Sequence, residues 1–295
     1  MLTQIFCEVD DICNEFTPIL NKHMLATGIK RRHRKGNLSL SEIMTILIYF
    51  HLSRYRDFKA YYQRFILGEQ AKAFPNAVSY ARFITLLKGA WLPMGVYLNS
   101  RCLGAVTGIS FIDSASLPVC HNLRINSNKV FRGVAARGKT STGWFYGFKI
   151  HLTVNDRGEI LSSALSSGNT DDRNWKIVNA LTRRLFGKLF ADKGYLSKKL
   201  SHALRKRDIQ LITKLRKNMK NQLMPLLDKL LLRKRAIIES VIDLLKNVCQ
   251  IQHSRHRSVT SFAIHLLAGL AAYSFLPKKP SLNLTDNEIK ALAPV

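Results

Sequence analysis

Two isolated acids each close an apolar run in this chain, Asp113 in GISFIDSASLP and Asp192 in LFADKGYLS, and a third, Glu239, lies far downstream in RKRAIIESVIDLLKN. Carboxylate oxygens are what a hard divalent metal takes as ligands, so three of them gathered from distant points in a chain make a metal site. Arg235 and Lys246 flank Glu239 at spacings of four and seven, which predicts one shared helix face. A charge at the end of a buried apolar strand is expensive unless it is paired or metal-bound. Each acid also has a plain structural alternative. Asp beside Ser, or before Lys-Gly, is common in turns, and Glu239 with Arg235 could be a surface pair worth about 0.3 to 0.5 kcal/mol. Asp243, one turn later, is a rival carboxylate on the same face.

The rest of the composition points the same way. Against 19 acids stand 46 Lys and Arg, a formal net charge of +27 over 295 residues, which implies a polyanionic partner such as nucleic acid. The excess is uneven: +7 in residues 1–105, +4 in 106–182, +15 in 183–257 and +1 in 258–295. The densest basic stretch therefore surrounds Asp192 and Glu239, as a site for phosphate backbone requires. Five cysteines without a CxxC pair, and no signal-peptide start, predict a reduced cytoplasmic protein without structural zinc. Residues 258–276 have about the length of a membrane span, but His265, several Ser and Thr, and basic flanks on both sides predict a buried core helix instead.

Positioning these acids requires two kinds of architecture. Residues 1–105 read as an all-helical domain: an amphipathic run over 2–24, a basic linker IKRRHRKGN, a helix in LSLSEIMTILIYFHL opened by the Ser39/Glu42 capping-box spacing, and two more in RYRDFKAYYQRFI and SYARFITLLKGAW. These helices could read DNA or could form an ordinary bundle; periodicity does not separate the two. From 106 the period changes. AVTGISFIDSASLPVC, GWFYGFKIHLTVND and GEILSSALSSG predict three antiparallel strands, the last two joined by an Asp156-Arg157-Gly158 turn. Then come a helix in DDRNWKIVNALTRRLF, a strand in KLFADKGY, a helix in SKKLSHALRKRD, a strand in IQLITKLR, and helices over 224–249 and 258–276. This α/β (α+β) order, a mixed sheet flanked by helices, resembles the ribonuclease H-like fold, with residues 106–276 as the catalytic domain and 277–295 as a loosely structured tail. Lys149 and His151 lie on the second strand, where one of them is expected to face the site. The loop HNLRINSNKVFRGVAARGKTSTG suits DNA contact or simply joins two strands. Trp175 could stack on an unpaired base, though helix packing is the plainer role.

The combination resembles the DDE transposases of bacterial insertion sequences. In the insertion-sequence-four branch the third acid lies in a helix reading tyrosine, two residues, arginine, three residues, glutamate, six residues, lysine; Arg235, Glu239 and Lys246 match, and Leu232 stands at the tyrosine position. FIDSASLPVC, GFKIHLTVND, ADKGY and LSLSEIMTILIYFHLSRYRDFK together look like the insertion-sequence family numbered nine-eight-two, over roughly residues 1–276. The resemblance implies that Asp113, Asp192 and Glu239 are catalytic and hold two Mg²⁺ or Mn²⁺ ions. It further implies that Arg235, Lys246, Lys149 and Lys193 contact DNA, that the partners are double-stranded element ends and target DNA, and that the protein is a homodimer of the bacterial nucleoid with no membrane association. The reaction would be strand cleavage followed by strand transfer. A ribonuclease H-like nuclease without strand transfer, and a catalytically inactive DNA-binding relative, are the alternatives.

Overall fold

A computed structural model describes residues 1–27, 36–141, 143–214, 224–252 and 256–283. Most of the expected basic linker, part of the basic flank before residue 258, and the end of the tail lie outside them. Contacts divide the chain into two units, one formed by Met1–Cys102 with Leu245–Leu276, the other by Leu103–Leu244 with Pro277–Val295.

The chain starts with α1 (Leu2–Ala26) and α2 (Leu40–Phe50). The capping box predicted for α2 forms: the Ser39 side chain accepts from the Glu42 amide, and the Glu42 carboxylate accepts from the Ser39 amide. A short α3 (Phe58–Ala60), capped by Asp57, runs on as a π-helix over Tyr61–Glu69; α4 (Tyr80–Leu87) and α5 (Trp91–Arg101) follow. The apolar faces of these helices bury Phe50, Phe58, Tyr61, Tyr62 and Phe83, whose rings meet edge-on or tilted at 4.6 to 5.9 Å.

The second unit is built on a six-stranded mixed sheet. Its strands are β1 (Ile109–Cys120), β2 (Ala136–Thr140), β3 (Gly143–Asn155), β4 (Ile160–Ser167), β5 (Gly187–Ala191) and β6 (Ile209–Thr213). Antiparallel β3 lies between β1 on one edge and β2 and β4 on the other, while β5 and β6 extend the sheet parallel to β1. The three antiparallel strands expected from the sequence are β1, β3 and β4, the last two joined as predicted by a turn in which Gly158 takes φ 68°, the left-handed region that glycine enters without strain. The loop between the first two strands is not merely a loop, since ARGKT within it forms β2 along the first half of β3.

Helices α6 (Trp175–Leu181) and α7 (Lys198–Arg205) pack one face of the sheet around Ile112, Leu161, Leu189, Ala191 and Leu204. On the other side α8 (Leu226–Arg233) contacts β5 and β6, and α9 (Ala236–Asp243) contacts β1. A mixed sheet with helices on both faces, in this order, is compatible with the ribonuclease H-like fold. The helix predicted over 224–249 is broken: the chain turns at Lys234 between α8 and α9 and passes into a π-helix over Leu244–Val248. The last helix, α10 (Val259–Ser274), is buried on nearly every side and packs on α2 and α5 of the first unit. Among the described residues no helix is long and apolar enough to cross a membrane.

Candidate active site

The burial of β1 changes abruptly along its length. Ile109–Ile112 are covered on both faces, then Asp113–Ser116 are half-buried. The change falls where β5 stops pairing, because the last matched pair is Ile112 with Ala191, so Asp113 and Asp192 are the next residue of each parallel strand. Asp192 follows the carboxyl end of β5, where open α/β sheets form their binding crevice, and Asp113 stands beside it at the point where β1 runs on past its parallel pairing. Below them on the same face the rings of Phe111 and Phe190 stack at 5.4 Å, making the floor apolar.

Glu239 reaches this place through Arg235. The guanidinium donates to Asp113 Oδ2 at 2.8 Å and to Glu239 Oε1 at 2.5 Å, one residue 122 positions away in sequence, the other one helical turn on. Burial pushes the Asp113 carboxyl above its usual range; Arg235 and the Ser114 amide oppose the shift and Asp192 adds to it. Burial alone would lower the Arg235 guanidinium, but Asp113, Glu239 and Asp192 together raise it. One cation therefore pairs with two acids and feels the charge of a third. Asp243, the rival carboxylate, is exposed at the end of α9.

The other face of β1 carries a second polar group that the sequence reading did not single out. Ser114 Oγ donates to Asp172 Oδ1 at 2.8 Å, and Lys149 Nζ donates to the same oxygen at 3.1 Å and to the Thr170 carbonyl at 2.9 Å. His151 bonds Ser166 Oγ through Nε2 at 2.8 Å and points Nδ1 toward Asp172 at 4.0 Å. Its ring is fully buried, and burial lowers its pKa to about 4 despite Asp172. Tyr195 is also buried; its hydroxyl lies near Ser114 and the charges of Asp172 and Asp113 but makes no hydrogen bond of good geometry. Lys149 and His151 share one face, as residues two apart on a strand must, and that face is opposite to Asp113. The expectation that only one of them faces the site is corrected accordingly. Asp172 escaped notice because DDRNWKIV reads as the start of a helix. The helix begins only at Trp175, capped by Asn174, which leaves Asp172 free to turn under the sheet.

Lys193 is exposed at the start of a 3₁₀ turn directly after Asp192. Lys246 does not continue the Arg235/Glu239 face on a regular helix, because the π-helical turn at Leu244–Val248 changes the angular register, and Lys246 itself belongs to the first unit. Burial lowers its pKa. Trp175 is 43 % exposed, so it is not a core residue.

Asp113, Asp192 and Glu239 offer oxygen ligands alone, and buried Asp113 already draws a cation, so the donor set fits a hard divalent metal. Among the described residues no three His, Cys, Asp or Glu side chains stand close enough to grip a metal together, Arg235 taking one oxygen from each of two acids. A family model described as a transposase DDE domain matches residues 103–259, more than half of the chain. No curated protein matches it.

Proposed function

The chain belongs to the transposase DDE-domain family, and from that premise we propose that it cuts and joins the ends of a bacterial insertion sequence, with Asp113, Asp192 and Glu239 as the metal-holding acids. Bound Mg²⁺ or Mn²⁺, two ions, supply charge stabilisation to the attacking and leaving oxygens of an in-line displacement at phosphorus. The protein's own part is to hold and aim. Asp113 and Asp192, side by side on adjacent parallel strands, would hold the metal as a rigid pair of ligands, with Glu239 closing the set from α9. With metal on the carboxylates, Arg235 would be left for the phosphate, for which its planar fork is suited. Hydrolysis at the element end frees a 3′ hydroxyl, and attack of that hydroxyl on target DNA joins the strands. No protein nucleophile is required.

The single observation that carries this reading is the Arg235 bridge joining Asp113 to Glu239, with Asp192 raising Asp113 from the neighbouring strand. The motif order favours the insertion-sequence-four-like group and its family nine-eight-two. We place DNA-end recognition in residues 1–105, catalysis in 106–276 and no defined role in 277–295, with Lys246 and Lys193 as further DNA contacts, a homodimer holding the two ends, and residence at the cytoplasmic nucleoid.

The test is a plasmid carrying the inverted repeats that bracket the gene, incubated with protein and Mg²⁺. Asp113→Asn, Asp192→Asn and Glu239→Gln each keep side-chain volume and remove a ligand's charge. Each is expected to reduce nicking to background while DNA affinity stays within about twofold, roughly 0.4 kcal/mol. Products joined to target DNA support a transposase, and nicks alone indicate a nuclease without strand transfer. Loss of nicking in Asp243→Asn together with a tolerated Glu239→Gln overturns the assignment of the third acid.

A further inference from the structure

The helical unit holds a cleft of about 700 Å³ lined by Arg54, Arg56, Asp57, Lys246, Asn247, Gln250 and Gln252. Both of its walls are strained. Among the described residues four that are not glycine have a positive φ, and two of these, Arg54 at 63° and Gln250 at 51°, line this cleft from loops nearly 200 residues apart in sequence. Neither residue type favours the left-handed region, and strain of this kind persists where surrounding structure enforces it, often at ligand sites. Among the described residues no salt bridge joins Arg54, Arg56 or Lys246 to a carboxylate, and the one acid in the cleft, Asp57, caps α3 by accepting from the Ala60 amide. Three cations against one acid, beside three amides, is a lining for an anion that also has hydrogen-bonding edges.

We infer that this cleft binds a stretch of DNA, with Arg54, Arg56 and Lys246 on the phosphates and the Asn247, Gln250 and Gln252 amides toward base edges. The proposal rests on the transposase reading above. A bare phosphate uses only the cations and a small part of the volume. A nucleotide segment uses both: guanidinium forks pair with phosphate oxygens, and amides offer the donor and acceptor pattern that reads adenine. The cleft also accounts for the placement of Lys246. Moved off the α9 face by the π-helical turn, it joins two arginines of the helical unit.

The full chain is titrated with a labelled duplex of the inverted repeat, a scrambled duplex of equal length, and inorganic phosphate as competitor, from 50 to 200 mM salt. Arg54→Gly removes a cation and installs the one residue that suits φ 63°, so folding should be at least as stable by thermal melting while DNA binding weakens. Combined with Arg56→Gln, it should reduce the slope of log affinity against log salt by about 1.8, about 0.9 for each cation lost. Both duplexes should be affected alike. Gln252→Ala should leave the slope unchanged and narrow the preference for the repeat. An unchanged slope in a folded Arg54→Gly/Arg56→Gln protein overturns the proposal, as does inorganic phosphate displacing duplex at millimolar levels from wild type but not from the double variant, since the cleft would then be a phosphate site. Wild type that binds and nicks the repeat while the variants bind equally well rejects the cleft alone; wild type that binds no duplex at all rejects the transposase reading with it.

Discussion

The two faces of β1 carry charges of opposite character, though they are separated by one residue. On the front, Asp113 is paired with Arg235, an arginine on a separate helix, and the pair shares its cation with Glu239, whose side chain is 57 % exposed. On the back, Lys149 and Asp172 form an ion pair that also engages Ser114, beside a fully buried His151. Burial does not separate the two pairs, since Arg235 and Asp113 are 14 and 21 % exposed and Lys149 and Asp172 are 14 and 29 %. What separates them is that Arg235 also reaches the exposed Glu239, whereas Lys149 and Asp172 are tied to the Thr170 carbonyl and Ser114. In the back group any partner removed leaves a polar atom stranded in a low dielectric. The contrast separates a working face from a supporting one. It assigns chemistry to Asp113 and rigidity of the strand beneath it to Asp172.

The sharpest break of this comparison is Asp172→Ala. It leaves the Lys149 ammonium, 14 % exposed, without its carboxylate, and loss of one partner from a buried pair costs about 3 to 5 kcal/mol. The partial exposure of Asp172 argues for the lower end. In a double-mutant cycle, Asp172→Ala with Lys149→Met should cost clearly less than the two single changes added, measured by urea denaturation. Additive costs would show that the pair is not coupled, and the supporting role would fail.

How much of this was legible in the sequence follows from the same faces. The long strands β1, β3 and β4 and helix α2 carry periodicity or a capping box in their own residues, and the sequence reading found them. β2 does not: ARGKT has no apolar alternation, and its strand form depends on β3 beside it. α6 is shorter than its apolar pattern suggests, because Thr182 Oγ1 bonds back to the Val178 carbonyl and Arg207 takes the Thr182 carbonyl, which closes the helix at Leu181. The front acids were visible as isolated charges closing apolar runs. Asp172 was invisible for a physical reason, since an acid ahead of a helix looks like ordinary charge at a helix start. Helix α10 reads as core, as found, but nothing in its sequence says that its aromatic neighbours are Phe50 and Phe58 through His265.

A second difference between the faces is pH. With its pKa held at about 4 against an ordinary 6.5, His151 stays neutral in the folded protein while the unfolded chain takes up a proton first as pH falls. The stability this confers is complete above pH 6.5, declines through the window from 6.5 to 4, and is lost below it; the full difference is worth about 3 kcal/mol. His151→Gln, whose amide can still meet Ser166, should flatten that decline relative to wild type. Melting temperatures at pH 7.5, 6, 5 and 4 measure it, and parallel curves for the two proteins would mean that His151 does not couple folding to protons.

The smallest expected change in stability is on the front. Arg235→Gln removes the cation shared by Asp113 and Glu239 and leaves a mostly buried carboxylate, but burial already favours the neutral form of Asp113 and the exposed Glu239 rehydrates, so the loss of stability should be smaller than that of Asp172→Ala. Nicking should nevertheless fall strongly, because the lost group is the one aimed between the acids and, in the proposed reaction, at the phosphate. Asp243→Asn makes the control: it changes an exposed acid on the same helix, one turn beyond Glu239, and should leave both stability and nicking close to wild type. If Arg235→Gln instead unfolds the protein like Asp172→Ala, the front bridge is structural and the two faces of β1 do the same work. If it spares both folding and nicking, the bridge is a resting contact only, and the phosphate must be held by other cations.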